Sequence, residues 1–162
     1  SLVAMDTEVQ SAYSNIESQM QRRGDLIPNL VSTVKGYAAH EEEVLTSIAD
    51  ARAKLAGAGS VQEMESADSQ LSSALSRLLV VVEQYPELKA NQNFQALMDE
   101  LSGTENRIAV ARKDYNDTVK KYNKAIKQFP KNLIASMFGF ESAEFFQADE
   151  ASKEVPKVDF SK

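Results

Sequence analysis

Phe94, Leu101, Ile108, Tyr115, Tyr122 and Phe129 stand at strict intervals of seven, six large residues over five heptads. Beside them runs a smaller row, Leu97, Thr104, Ala111, Thr118 and Ala125. Such a repeat is the mark of one helix with one buried face. It predicts a helix over 91–129, about 55 Å long at 1.5 Å per residue. A strict sevenfold row also predicts left-handed, coiled-coil-like packing with crossings near ~20°. Gly103 lies inside this segment. It costs about 1 kcal/mol relative to alanine and marks either a kink or a close helix contact.

The rest of the chain reads the same way. Leu2, Val9 and Ile16 share a sevenfold row, so a first helix is expected over 2–23. Gly24-Asp25 reads as a stop and a new start, and Pro28 supports a break there. One continuous kinked helix is the alternative. Ile27, Val34, Ile48 and Leu55 define a second helix over 27–56, ended by Gly57-Ala58-Gly59. Ser60 with Glu63 matches a capping box and opens a third helix over 60–85, with Met64, Leu71, Leu78 and Tyr85 as its seam and Pro86 as its end. The run Leu78 to Val82 alone could be a strand; the cap and the seam decide for helix. The expected fold is all-α: a long antiparallel up-and-down four-helix bundle over 1–129. A short aromatic C-terminal tail follows over 130–162. Asn132 can cap and Gly139 can end a short helix near 133–138, packed at least partly on the bundle. Five of the seven phenylalanines lie after Pro130. The stretch 141–154, with five acids against Lys153, is expected to be irregular.

A chain of 162 residues forms one domain large enough to build its own core. With no cysteine it has no disulfide, zinc–thiolate site, iron–sulfur cluster or cysteine nucleophile. Net charge is −6, and no Lys/Arg stripe is found, so nucleic acid is not an expected partner. The longest apolar run, Leu78 to Val82, is far short of the roughly 20 residues of a membrane span. The chain is therefore expected to be soluble. Helical spacing is already running at Leu2, so the natural N-terminus is expected upstream.

Several stretches together resemble the LemA family: QRRGDLIPNLV (Gln21 to Val31), VKGYAAHE (Val34 to Glu41), GTENRIAVARKDYN (Gly103 to Asn116), FPKNLIASMFGF (Phe129 to Phe140) and VPKVDF (Val155 to Phe160). The similarity runs in order over nearly the whole chain. It implies a bacterial-type helical bundle attached to the cell membrane by a single transmembrane helix just before this region. Which side of the membrane the domain faces stays open. The resemblance brings no catalytic residues.

The residues offer few candidate sites. His40 precedes Glu41, Glu42 and Glu43, but di-iron bundles use Glu-x-x-His on two helices; position 37 is Tyr37 and there is no second histidine. No metal and no cofactor are expected. Glu41 falls one repeat after Val34 and before Ile48, so the pattern turns it inward. It is expected to be buried against Arg107 or Arg112. Glu105 and Arg112 lean inward in a row with Met98, Val119 and Ile126. These four form a structural polar cluster, an ion-paired brace that fixes register. An enzyme or small-ligand binder using Glu41, Glu105 and Arg112 is the alternative. Arg22, Arg23 and Asp25 form a charged corner suited to capping or to an anionic partner. Tyr115 and Tyr122 are explained by core packing. In the tail, Phe140, Phe145 and Phe146 are the expected docking residues for a protein partner or a membrane surface. No catalytic motif is present, so the expected function is a membrane-tethered interaction or scaffold module, with a structural spacer as a third possibility.

Overall fold

The apolar rows fold as helices: α1 (Leu2–Asp25), α2 (Ile27–Ala38), α3 (Glu42–Ala56), α4 (Val61–Val82), the single turn α5 (Pro86–Lys89), α6 (Gln92–Lys127) and α7 (Lys131–Phe138). The computed structural model describes residues 1–128, 131–139 and 141–146, and among them there is no strand. The chain is all-α.

The first row runs further than Leu2, Val9 and Ile16. Arg23 and Leu30 continue it at the same interval of seven, and all five are buried. The backbone explains why. Leu26, the one residue between α1 and α2, keeps right-handed helical dihedrals (φ −77°, ψ −19°). Pro28 falls in the first turn of α2, where a missing N–H is no loss. Gly24 does not stop the helix, and the two segments join with a one-residue interruption.

The expected helix over 27–56 is two helices. Ala38 closes α2, Ala39 and His40 turn, and Glu41 takes a non-helical conformation (φ −86°, ψ 48°). Glu42 and Glu43 then fill the first turn of α3, where carboxylates meet the unpaired N–H groups and the positive end of the helix dipole. The sevenfold row from Val34 to Ile48 therefore does not run along one helix.

The later boundaries follow their capping chemistry. Gly57 donates its N–H to the Ala53 carbonyl (3.1 Å) and ends α3. The Ser60 hydroxyl accepts the Glu63 N–H (3.1 Å), and the Glu63 carboxylate accepts the Gly59 N–H (3.3 Å), one residue ahead of the usual box. Pro86 opens α5 after α4 has ended at Val82. Asn91 accepts the Phe94 N–H (2.9 Å) at the start of α6. Along α6 the seam residues Phe94, Leu101, Ile108, Tyr115 and Tyr122 are all buried; Phe129 lies outside the described residues. At Gly103 the atoms nearest to an added Cβ belong to Arg107 on the same helix (3.5 Å).

The chain divides into two compact units. The middle unit, Gln19–Ile108, contains α2 to α5, the end of α1 and the start of α6. Here α3 packs extensively on α4, and α5 rests on α2 and α4. Leu30, Ile48, Leu71, Leu78 and Leu88 are fully enclosed, each contributing roughly 1.5–3 kcal/mol by leaving water. The terminal unit combines Ser1–Ser18 with the chain from Ala109 onward. Val9, Ile16, Val119, Tyr115, Tyr122, Ala135 and Phe146 are buried in it.

Candidate functional site

The most buried charges in the middle unit are Asp68 on α4 and Arg23 near the end of α1, each 3% exposed; Arg23 is the cation of the two. Its Nη1 pairs with Asp68 Oδ1 on α4 and also approaches the Asp68 carbonyl (3.4 Å). Its Nη2 donates to Ser72 Oγ (3.0 Å) and lies 3.2 Å from Glu105 Oε2 on α6. Asp68 and Ser72 are four apart and share one face of α4, so both reach the same guanidinium. Thr104, also fully buried, donates its hydroxyl to the Leu101 carbonyl (2.7 Å). A desolvated ion pair adds little net stability, but removing one partner leaves an uncompensated charge. An arginine does not give up its proton, so this arrangement ties three helices together and is not an acid–base pair.

Glu41 does not join Arg107 in the expected polar cluster. Glu41 is half-buried beside the α2–α3 turn, and Tyr85 donates its hydroxyl to Glu41 Oε1 (2.9 Å). That hydrogen bond, then burial and the carboxylate charge, raise the Tyr85 pKa. Among the described residues the ion pairs do not include Glu41. The break at Ala39–Glu41 is the cause, because Glu41 is no longer on an inward row. Arg107 instead donates to Gln19 Oε1 (3.3 Å), Glu105 faces Arg23, and Arg112 is half-buried on α6. His40 is exposed on the turn. Of the charged corner, Arg22 makes an exposed pair with Glu100 (3.0 Å), while Arg23 turns inward. An open cleft of about 570 Å³ lies where α3 gives way to α4, lined by Lys54, Glu63 and Gln70 among others, and Lys54 donates to Gln70 (3.2 Å) across it.

In the terminal unit two asparagines on α6 hold the tail. Asn116 Oδ1 accepts the Phe146 N–H (2.8 Å), and Asn116 Nδ2 donates to the Phe146 carbonyl (3.0 Å). Asn123 does the same to Ala143 (2.9 and 3.2 Å). The Phe146 ring meets Tyr115 edge to face (5.1 Å, 89°), and Tyr13 leans on Tyr115 (6.1 Å). Burial, then Tyr13 and Glu144, push the Tyr115 phenol up to about 12. Phe146 is therefore a core ring and not an accessible docking residue. Phe145 is half-buried, and Phe140 lies outside the described residues.

The side chains left outside are of another kind. Leu133, Met137 and Phe138 of α7 are 55%, 79% and 72% exposed. Lys120, Lys121, Lys124 and Lys127 are exposed at the end of α6. Three of these lysines, spaced by four and three, form a stripe that the sequence reading passed over. Asp68 also had a signal: it interrupts the apolar row Met64, Leu71, Leu75, Leu78 at core spacing.

These features define a helical chain whose buried charged and amide groups hold helices and a tail segment in register. The chain belongs to the LemA family, which it matches over residues 12–160. It is similar to magnetosome protein MamQ 2 of Paramagnetospirillum magneticum, with 32% identity over 90% of this chain and 63% of that protein. Magnetosome protein MamQ of Magnetospirillum gryphiswaldense is 30% identical over 89% of this chain and 62% of its own length. Protein LemA of Metamycoplasma hominis is 29% identical over 94% and 70%. The chain thus spans under two thirds of the length of its magnetosome relatives.

Proposed function

We propose that the chain is a non-enzymatic interaction or scaffold module, a long up-and-down helical bundle held at the cell membrane in the full-length protein. The observation that carries this reading is the use of Arg23. The most buried cation of the middle unit is enclosed by Asp68, Ser72 and Glu105, and serves as a brace between helices. The middle unit also turns apolar side chains outward: Leu79 and Val80 stand side by side on α4, 49% and 73% exposed. The heptad seam of α6 supports the bundle. The membrane attachment rests on resemblance to the family, since no helix among the described residues is long and apolar enough to cross a bilayer. Relatives named for the magnetosome support a module that works at an organised cellular structure.

The test is crosslinking of the full-length protein in its own cells, followed by fractionation and identification of what is captured. Recovery in the membrane fraction with a reproducible protein partner is the expected result, and Leu79→Ser/Val80→Ser should weaken the capture. A protein found wholly in the soluble fraction, with nothing captured, overturns the reading.

A further inference from the structure

We propose that the end of α6 and the outer face of α7 form a docking surface for an anionic lipid interface. Charge is the first argument. Lys120, Lys121, Lys124, Lys127 and Lys131 fall within twelve residues, and no acid occurs from Thr118 to Phe140. Counting Glu141 and Glu144 in the clamped segment, residues 118–146 still carry five lysines against two glutamates, net +3 in a chain of net −6. The spacing puts Lys120, Lys124 and Lys127 on one helix face. Tyr122, which feels the charges of Asp6 and Glu141, points to the opposite, buried side. Glu144 lies toward Tyr13 and Tyr115.

Apolar exposure is the second argument, and it selects the occupant. Ala135 is buried and seats α7. Leu133 and Met137, four apart, lie on the other side, and Phe138 stands clear at the helix end. A nucleic acid would use the lysines and leave these side chains in water. A lipid interface uses both: headgroup phosphates meet the ammonium groups, and Leu133, Met137 and Phe138 enter the headgroup–acyl boundary, as in short amphipathic helices that lie in the membrane plane. Lysine stems can follow the apolar groups down while their charges stay among the phosphates. Each lysine near such a surface raises binding about fivefold. The proposal concerns the chain's own surface and does not rest on the tether described above.

The 162-residue chain is sedimented with vesicles of phosphatidylcholine alone and with mixed phosphatidylglycerol–phosphatidylcholine vesicles. Binding to the mixed vesicles and little to the neutral ones is expected, weakening as salt rises. Lys121→Gln/Lys124→Gln should lower binding by about 25-fold. Met137→Ser/Phe138→Ser should lower it at least about tenfold and remove the part that survives salt. Circular dichroism checks that each variant keeps its helices; should the second pair lose helicity, Met137→Ser alone carries the same test. Equal binding to both vesicle types overturns the proposal. So does a Met137→Ser/Phe138→Ser chain that binds like the unaltered one, or duplex DNA bound as tightly as the mixed vesicles and unaffected by that change.

Discussion

Asn116 and Asn123, one heptad apart on α6, each exchange two hydrogen bonds with a single residue of the segment 141–146, Asn116 with Phe146 and Asn123 with Ala143. Seven helical residues rise about 10.5 Å, and three extended residues span about 10 Å, so the two repeats match. The segment runs antiparallel to the helix, since the later asparagine holds the earlier residue. A carboxamide offers one donor edge and one acceptor, as a backbone residue does, so the clamps fix the backbone and leave side chains free to differ. Asn116→Ala or Asn123→Ala should each destabilise the terminal unit by about 1–3 kcal/mol. Amide exchange at Phe146 and Ala143 should accelerate accordingly; unchanged exchange at both would show that the clamps are dispensable.

Neighbouring phenylalanines in this segment should behave differently. Phe146 is 3% exposed and packed on Tyr115, whereas Phe145 is half-buried. Phe146→Ala should cost about 3–5 kcal/mol. Phe145→Ala should cost clearly less, and thermal denaturation of the pair decides it.

Much of the architecture was legible because it rests on period and caps. The α6 seam needed only the interval of seven from Phe94 to Tyr122. Ser60 with Glu63 marked the start of α4 by local chemistry. The polar sites were less legible, because a heptad locates an inward position only while the helix continues. Applied to Glu41, the rule crossed an unrecognised turn at Ala39–Glu41 and failed. Extended from Leu2, Val9 and Ile16, the same rule reaches Arg23, which is buried as the row requires. Nothing local identified Asp68 or Glu105 as its partners, since pairing across helices depends on which faces meet. The tail clamp was hidden for the same reason: Asn116 and Asn123 beside Tyr115 and Tyr122 form a visible repeat, but their partners are backbone groups 30 and 20 residues further along the chain.

Arg23 should be costly to remove and less costly to replace together with its partner. Arg23→Ala leaves Asp68 buried without its cation and should destabilise the middle unit by about 3–5 kcal/mol. Arg23→Met/Asp68→Leu fills similar volume without charge and should recover most of that loss. Chemical denaturation of Arg23→Met, of Asp68→Leu and of the double variant completes a cycle with strong coupling. Additive losses would mean that the pair does not act as a unit.

Alkaline pH should unfold the terminal unit through its tyrosines. The Tyr115 phenol is pushed up to about 12, first by burial, then by Tyr13 and Glu144. Tyr122 is raised by burial and by Asp6 and Glu141, and Tyr13 by burial and by Glu17 and Glu144. An unfolded chain releases a tyrosine proton near ~10, while folded Tyr115 keeps it to about 12. Between those values the unfolded state binds fewer protons, so stability falls as pH rises. The contribution is fully present below about 10 and lost as pH climbs through the folded value; for Tyr115, buried in the core, it amounts to about 2–3 kcal/mol. Phenolate absorbance and helical ellipticity, followed together, should show these tyrosines ionising with loss of helix. Tyr115→Phe should flatten the alkaline limb of the stability curve. An unchanged limb in that variant would place the alkaline sensitivity on other groups.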